Sequence, residues 1–80
     1  MSAKKIPMGI ILSAKEVGAL VAHYRKQQAL TQVELAGLAQ TGTRFISDLE
    51  NGKGTVQFDK VMHILDLLGL EMDIRERQVQ

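Results

Sequence analysis

Apolar residues recur at three- and four-residue steps through most of the chain, and that period predicts helices. Val17, Leu20, Val21 and Tyr24 make a first stripe, with Lys15, Arg25 and Lys26 outside it. Ser13 stands just before the stripe and Glu16 three residues later. That is capping-box spacing, in which the two residues satisfy two orphan backbone donors reciprocally. A helix is expected over about residues 14–28. Thr31 and Glu34 repeat the signature, with Leu30 and Leu35 at the staple positions that fix how the chain enters the helix. Leu35, Ala36, Leu38 and Ala39 form the apolar side of this second, short helix, which ends at a turn of Gln40, Thr41 and Gly42. A third helix fits residues 43–50, with Gly42 as a weak N-cap and Asn51-Gly52 as a stop that tolerates a left-handed conformation. At about 100° per residue, Ile46 and Leu49 share one side, while Thr43, Arg44, Ser47 and Asn51 face the other. Phe58, Val61, Met62, Leu65 and Leu68 predict a fourth helix over about residues 56–68, with Thr55 as its cap and Gly69 as its stop.

After Gly69 the period changes. Leu70, Met72 and Ile74 alternate with Glu71, Asp73 and Arg75, the pattern of a half-buried strand. A strand needs partners for its backbone groups. Either residues 6–12 supply them or the same segment of a second copy does. The copy is the simpler solution, antiparallel about a two-fold axis. The expected organisation is an irregular segment 1–12, broken by Pro7 and Gly9, a helical domain 13–69, a dimerisation strand 70–76 and a flexible tail 77–80. The fold class is mainly α: four to five helices with one short C-terminal β-strand.

Composition narrows the class further. With 80 residues, 45% apolar and 24% charged, one small globular domain is expected. His63, Asp66 and Gly69 break the longest apolar stretches, so no span of about 20 apolar residues exists. Lys4 and Lys5 precede a short apolar run, but Pro7, Gly9, Lys15 and Glu16 argue against an export signal. The chain has 0 cysteines, which removes disulfides, thiolate metal sites and thiol nucleophiles and fits the cytoplasm. A domain below about 80 residues often needs a staple; helix packing or oligomerisation must serve here. Net charge is only +1, yet residues 1–60 hold eight Lys/Arg against five Asp/Glu, and residues 61–80 hold two against four. The positive excess thus falls within residues 1–60.

A short helix, a tight turn and a second short helix between longer amphipathic helices make a helix-turn-helix arrangement. Thr31-Gln32, Leu35-Ala36, Ile46-Ser47 and Leu49-Glu50-Asn51-Gly52, at this spacing, resemble the phage-repressor and Cro type of DNA-binding domain over about residues 14–69. The run from Arg44 to Lys53, then Asp59-Lys60-Val61, then residues 65–71 resembles the HipB-like antitoxin branch. That resemblance implies a C-terminal strand paired across a dimer and a HipA-like serine/threonine kinase toxin as partner. It also implies a partly buried ion pair, Arg25 with Glu50, joining the first and third helices. The turn departs from the family pattern: Gln40 replaces a usual Gly, Thr41 a usual Val or Ile, and Gly42 a usual Ser or Thr.

The outward face of the third helix carries the candidate chemistry. Arg44 has the geometry to donate bidentately to guanine O6 and N7, and Thr43 and Ser47 can reach base edges or a thymine methyl. Asp48 on the flank meets phosphate repulsion unless it accepts from a cytosine amino group or pairs with a nearby cation. Gln32, at the start of the second helix, is placed to bind phosphate together with free backbone N–H groups. Asn51 and Lys53 are placed to hold the DNA backbone on the other side. His23 and His63 lack clustered carboxylates, so neither a metal nor a cofactor is expected. Three readings compete. One is a dimeric sequence-specific repressor, either the antitoxin of a toxin–antitoxin operon or a stand-alone regulator. Another is an interaction module that neutralises a partner without reading bases. The third, an enzyme, finds no nucleophile–base pair or phosphate loop to support it.

Overall fold

A computed structural model of the chain describes residues 13–54 and 56–73. Among these residues four helices follow one another: α1 (Ala14–Gln27), α2 (Gln32–Ala39), α3 (Thr43–Glu50) and α4 (Phe58–Leu67). The predicted order is therefore observed. The start of α1 is fixed by Ser13, whose hydroxyl accepts from the Glu16 N–H at 3.2 Å and donates to the Glu16 carboxylate at 3.3 Å. At α2 the capping box closes in both directions, the Glu34 N–H reaching Thr31 Oγ1 at 3.0 Å and the Thr31 N–H reaching Glu34 Oε1 at 2.8 Å.

All four helices end in the same way. The chain turns through a left-handed residue, and the next N–H reaches back to a carbonyl five residues earlier, which is the Schellman motif. The left-handed residues are Ala29 (φ 61°), Gln40 (φ 58°), Gly52 (φ 81°) and Gly69 (φ 78°). The closing bonds run from Leu30 to Arg25 (3.1 Å), Thr41 to Ala36 (3.0 Å), Lys53 to Asp48 (3.0 Å) and Leu70 to Leu65 (2.8 Å). Gln40 thus adopts the backbone that a glycine adopts without strain. A further carbonyl at the end of α4 is met across the fold, where the Gln28 amide donates to the Leu68 oxygen at 3.0 Å.

The core gathers one face of each helix: Val21 from α1, Leu35, Ala36 and Ala39 from α2, Ile46 and Leu49 from α3, and Val61, Ile64 and Leu65 from α4, closed by Leu68. Leu30 packs against this cluster and Leu35 is fully buried within it, as the staple spacing requires. Close packing of α1 on α3 depends on Gly18. A Cβ there would stand 2.2 Å from the Leu49 carbonyl oxygen, so only glycine lets the two backbones approach.

Several expectations are corrected. Leu38 is 59% exposed, because the core side of α2 is Leu35, Ala36 and Ala39, and Leu38 is turned out from it. Helix α4 starts at Phe58, with Gln57 at the N-cap making no side-chain cap bond. Its buried positions are Val61, Ile64, Leu65 and Leu68, while Phe58 in the first turn is 64% exposed and lies beyond the reach of the core. Thr55, the expected cap, lies outside the described residues. One expectation is untested by a single chain: residues 70–73 form no strand among the described residues, and the expected strand is one that pairs with a second copy. The chain leaves α4 with the Leu70 N–H already taken by Leu65, and a lone segment has no neighbour on which to build a ladder. Ile74, the rest of the expected strand 70–76, residues 1–12 and the tail 77–80 lie outside the described residues.

Candidate nucleic-acid interface

Helices α2 and α3 and the three-residue turn between them form a helix-turn-helix, and its geometry decides which side of α3 is free. Ile46 and Leu49 are buried beneath the helix. Thr43, Arg44 and Asn51 are exposed, Ser47 is half-buried, and Phe45 packs along the edge of the core. The structure therefore brings Thr43, Arg44 and Ser47 together on one outward face, with the Arg44 side chain 87% exposed. Gly42 caps α3 without a side-chain hydrogen bond.

One carboxylate interrupts the positive character of this face. Asp48 Oδ2 lies 3.9 Å from Arg44 Nε and 3.6 Å from Lys53 Nζ. Asn51, beyond the helix end, donates to Ser47 Oγ at 3.4 Å, a weak contact readily exchanged for a better acceptor. Lys53 keeps a half-exposed side chain next to the Gly52 turn. The Asn51 amide and the Lys53 ammonium thus sit together at the C-terminal end of α3.

Behind the face, a hydrogen-bonded cluster locks α3 to its neighbours. The Arg25 guanidinium meets Glu50 bidentately, Nε to Oε2 at 2.6 Å and Nη2 to Oε1 at 3.0 Å, and a third donor reaches the Leu30 carbonyl at 2.7 Å. The ion pair expected from the family resemblance is present, with both side chains less than one-tenth exposed. Burial alone pushes the Glu50 carboxyl up. Hydrogen bonds from Arg25 and Gln32, with the charges of Arg25 and Lys26, more than offset this and hold it below the usual carboxylate range. For Arg25 the hydrogen bond to Glu50 outweighs burial and raises its pKa.

Gln32 belongs to the same cluster. Its amide donates one N–H to Glu50 Oε1 at 2.9 Å. That contact leaves the second N–H of the amide and the backbone N–H groups at the start of α2 as the donors this end of the helix can offer to a phosphate. Sequence reasoning saw the position of Gln32 but not this bond, because Gln32 and Glu50 lie 18 residues apart.

A lysine laid against α3 from α4, and one whose backbone packs on the turn after α3, were also missed. Lys60, on α4, holds its ammonium 5.6 Å from the Phe45 ring centroid, a cation–π contact that lays it against α3. The Lys15 backbone packs on Gly52, where a Cβ would stand 2.8 Å from the Lys15 Cα. The only available signal was the positive excess in residues 1–60. Ala39, Gln40, Thr41, Phe45, Lys60, His63 and Ile64 line a cleft of about 40 Å³. It has room for water, far below the roughly 300 Å³ or more of a small-molecule site. Among the described residues no three of His, Asp and Glu converge as metal ligands, and no helix is long and apolar enough to cross a membrane.

Comparison with known proteins agrees with this geometry. The helix-turn-helix domain family matches residues 16–78. The uncharacterized HTH-type transcriptional regulator y4mF of Sinorhizobium fredii (strain NBRC 101917 / NGR234) is 52% identical over 64 residues, covering 80% of this chain and 84% of that protein. Among solved structures, the complex of a HipB variant with an O2 20mer superposes with a TM-score of 0.80 at 25% identity, covering 90% of this chain and 100% of the other. A chain of the HipA–HipB–O2–O3 complex superposes with a TM-score of 0.77 at 26% identity, covering 86% and 97%. By its sequence match, and by the fold and outward-facing α3 that accompany it, the chain belongs to the helix-turn-helix domain family.

Proposed function

We propose that the chain is a dimeric, sequence-specific DNA-binding repressor, and the antitoxin of a HipBA-like toxin–antitoxin operon whose partner is a HipA-like kinase toxin. The observation that carries the reading is the outward face of α3, where Thr43, Arg44 and Ser47 are turned away from a core on which Ile46 and Leu49 seat the helix. In this reading α3 enters the major groove. Arg44 donates to guanine O6 and N7, and Thr43 and Ser47 contact neighbouring base edges. Lys53, Asn51 and Gln32, with the N–H groups at the start of α2, hold the phosphates on either side and set the register. Leu70, Met72 and Ile74 pair with the same strand of a second copy, giving two recognition helices related by a two-fold axis. The chain works in the cytoplasm, by binding and without a cofactor; any kinase activity of the complex belongs to the toxin. Likeness to HipB chains in complexes that contain HipA and operator DNA supports the antitoxin part of the reading.

Nuclease footprinting over the control region of its own operon tests the proposal. The expected result is protection of an inverted repeat whose half-sites are about one helical turn, or a multiple, apart. Uniform or absent protection at concentrations that saturate the protein overturns it.

A further inference from the structure

We propose that Asp48 is a specificity-determining residue of the DNA-reading face: it restrains Arg44 and Lys53 in the free protein and penalises duplexes that place no amino donor within its reach. The inference rests on the reading of α3 as the base-reading helix and deepens it.

The Asp48 carboxylate stands between two cations placed at opposite ends of α3, Arg44 at 3.9 Å and Lys53 at 3.6 Å. Both distances exceed the 2.7–2.9 Å typical of tight charge-assisted hydrogen bonds. Both cations are mostly or half exposed, so solvent and salt weaken these pairs and phosphate can replace the carboxylate. Helix stability gives Asp48 little purpose. Arg44 precedes it by four residues, and the acid-first order is the favourable one for such a pair.

In the groove the situation changes. A carboxylate only accepts. Most base-edge groups in the major groove also accept, and phosphates repel it; only the amino groups of cytosine and adenine donate. A duplex that provides guanine for Arg44, phosphate for Lys53 and an amino group for Asp48 satisfies all three side chains. A duplex whose amino group at that pair lies on the opposite strand, out of reach, leaves a desolvated carboxylate facing acceptors. Asp48 therefore contributes discrimination mainly through repulsion of wrong sequences, the route by which many specific interfaces reject competitors.

The experiment compares wild type with Asp48→Asn, near-isosteric and partly solvent-exposed, and Asp48→Glu, which keeps the charge. Each is titrated against two duplexes: one enriched by the wild-type protein from a random-sequence library, and one unselected. Thermal melting confirms that each variant is folded. Asp48→Asn is expected to bind the unselected duplex about three- to tenfold more tightly, since one negative charge leaves the interface. Its preference for the enriched duplex is expected to fall about tenfold. Asp48→Glu is expected to keep weak binding to the unselected duplex. Wild-type values for both duplexes in Asp48→Asn overturn the role of Asp48 while leaving the DNA-reading function intact. Failure of the wild type to enrich any sequence overturns the DNA-reading function, and this inference with it.

Discussion

Glu50 joins three helices through one carboxylate. It receives two donors from Arg25 of α1 and one from Gln32 of α2, and it sits at the end of α3. The pair is nearly buried, so its main effect is to fix geometry; removing one partner leaves an uncompensated charge and costs about 3–5 kcal/mol. The arrangement predicts an acid response. The folded pKa of Glu50 lies below the unfolded value of about 4.3. Its stabilisation is therefore complete above that value and is lost as pH falls through the folded one. Chemical denaturation of wild type between about pH 3 and 7 is expected to show this loss, and Glu50→Gln is expected to be less stable at neutral pH but to lose less on acidification. Equal acid slopes in the two proteins contradict the assignment. The Arg25–Glu50 pair was available beforehand only through family resemblance. The third member was hidden because a glutamine at the start of a helix carries no sequence sign of where its amide will turn.

At the scale of elements, the starts of α1, α2 and α3 were legible, that of α4 fell two residues later than its spacing suggested, and most of the ends were legible. Ser13, Thr31 and their partners three residues on marked two helices, and both caps are observed. Gly52 and Gly69 marked two stops. Ala29 and Gln40 perform the same left-handed turn without being glycines; Gln40 was read only as part of a turn with Thr41 and Gly42, and Ala29 carried no signal. Exposure was read less well. Leu38 and Phe58 are apolar and lie at plausible spacings, yet both are mostly exposed, because helical spacing does not say how far the core extends. Two substitutions follow from backbone geometry. Gln40→Gly removes a left-handed side-chain penalty and is expected to stabilise by about 0.5–1 kcal/mol, the residual after the added freedom of the unfolded chain. Gly18→Ala drives a methyl group into the Leu49 carbonyl and is expected to destabilise by about 1–3 kcal/mol or more, although alanine is the better helix former. Urea midpoints check both; a stabilised Gly18→Ala contradicts the close α1–α3 approach.

For the whole molecule, one chain presents one outward-facing α3 and a C-terminal segment with apolar residues on alternate positions. Leu70 packs half-buried on the core while Met72 is 39% exposed. The alternation was legible in the sequence, and the second copy as its partner was reached only by elimination, since pairing between copies leaves no mark in a single chain. In the proposed dimer Met72 is covered, so Met72→Asp is expected to shift sedimentation from dimer to monomer and to weaken operator binding; an unchanged dimer moves the seam to the helices. In the proposed reading, base recognition rests on Arg44, whose exposure sets it apart from the Arg25 fastened behind the same helix. The most direct test titrates wild type and Arg44→Ala against operator and unselected duplexes over a range of salt concentrations. For wild type, affinity is expected to fall linearly on a logarithmic salt scale, with the operator bound at least about 1,000-fold more tightly than the unselected duplex. For Arg44→Ala, binding to the unselected duplex is expected to weaken about three- to tenfold with the loss of one positive charge, and operator affinity is expected to drop by about 1–3 kcal/mol beyond that. An Arg44→Ala variant that discriminates between the two duplexes as well as wild type contradicts the account.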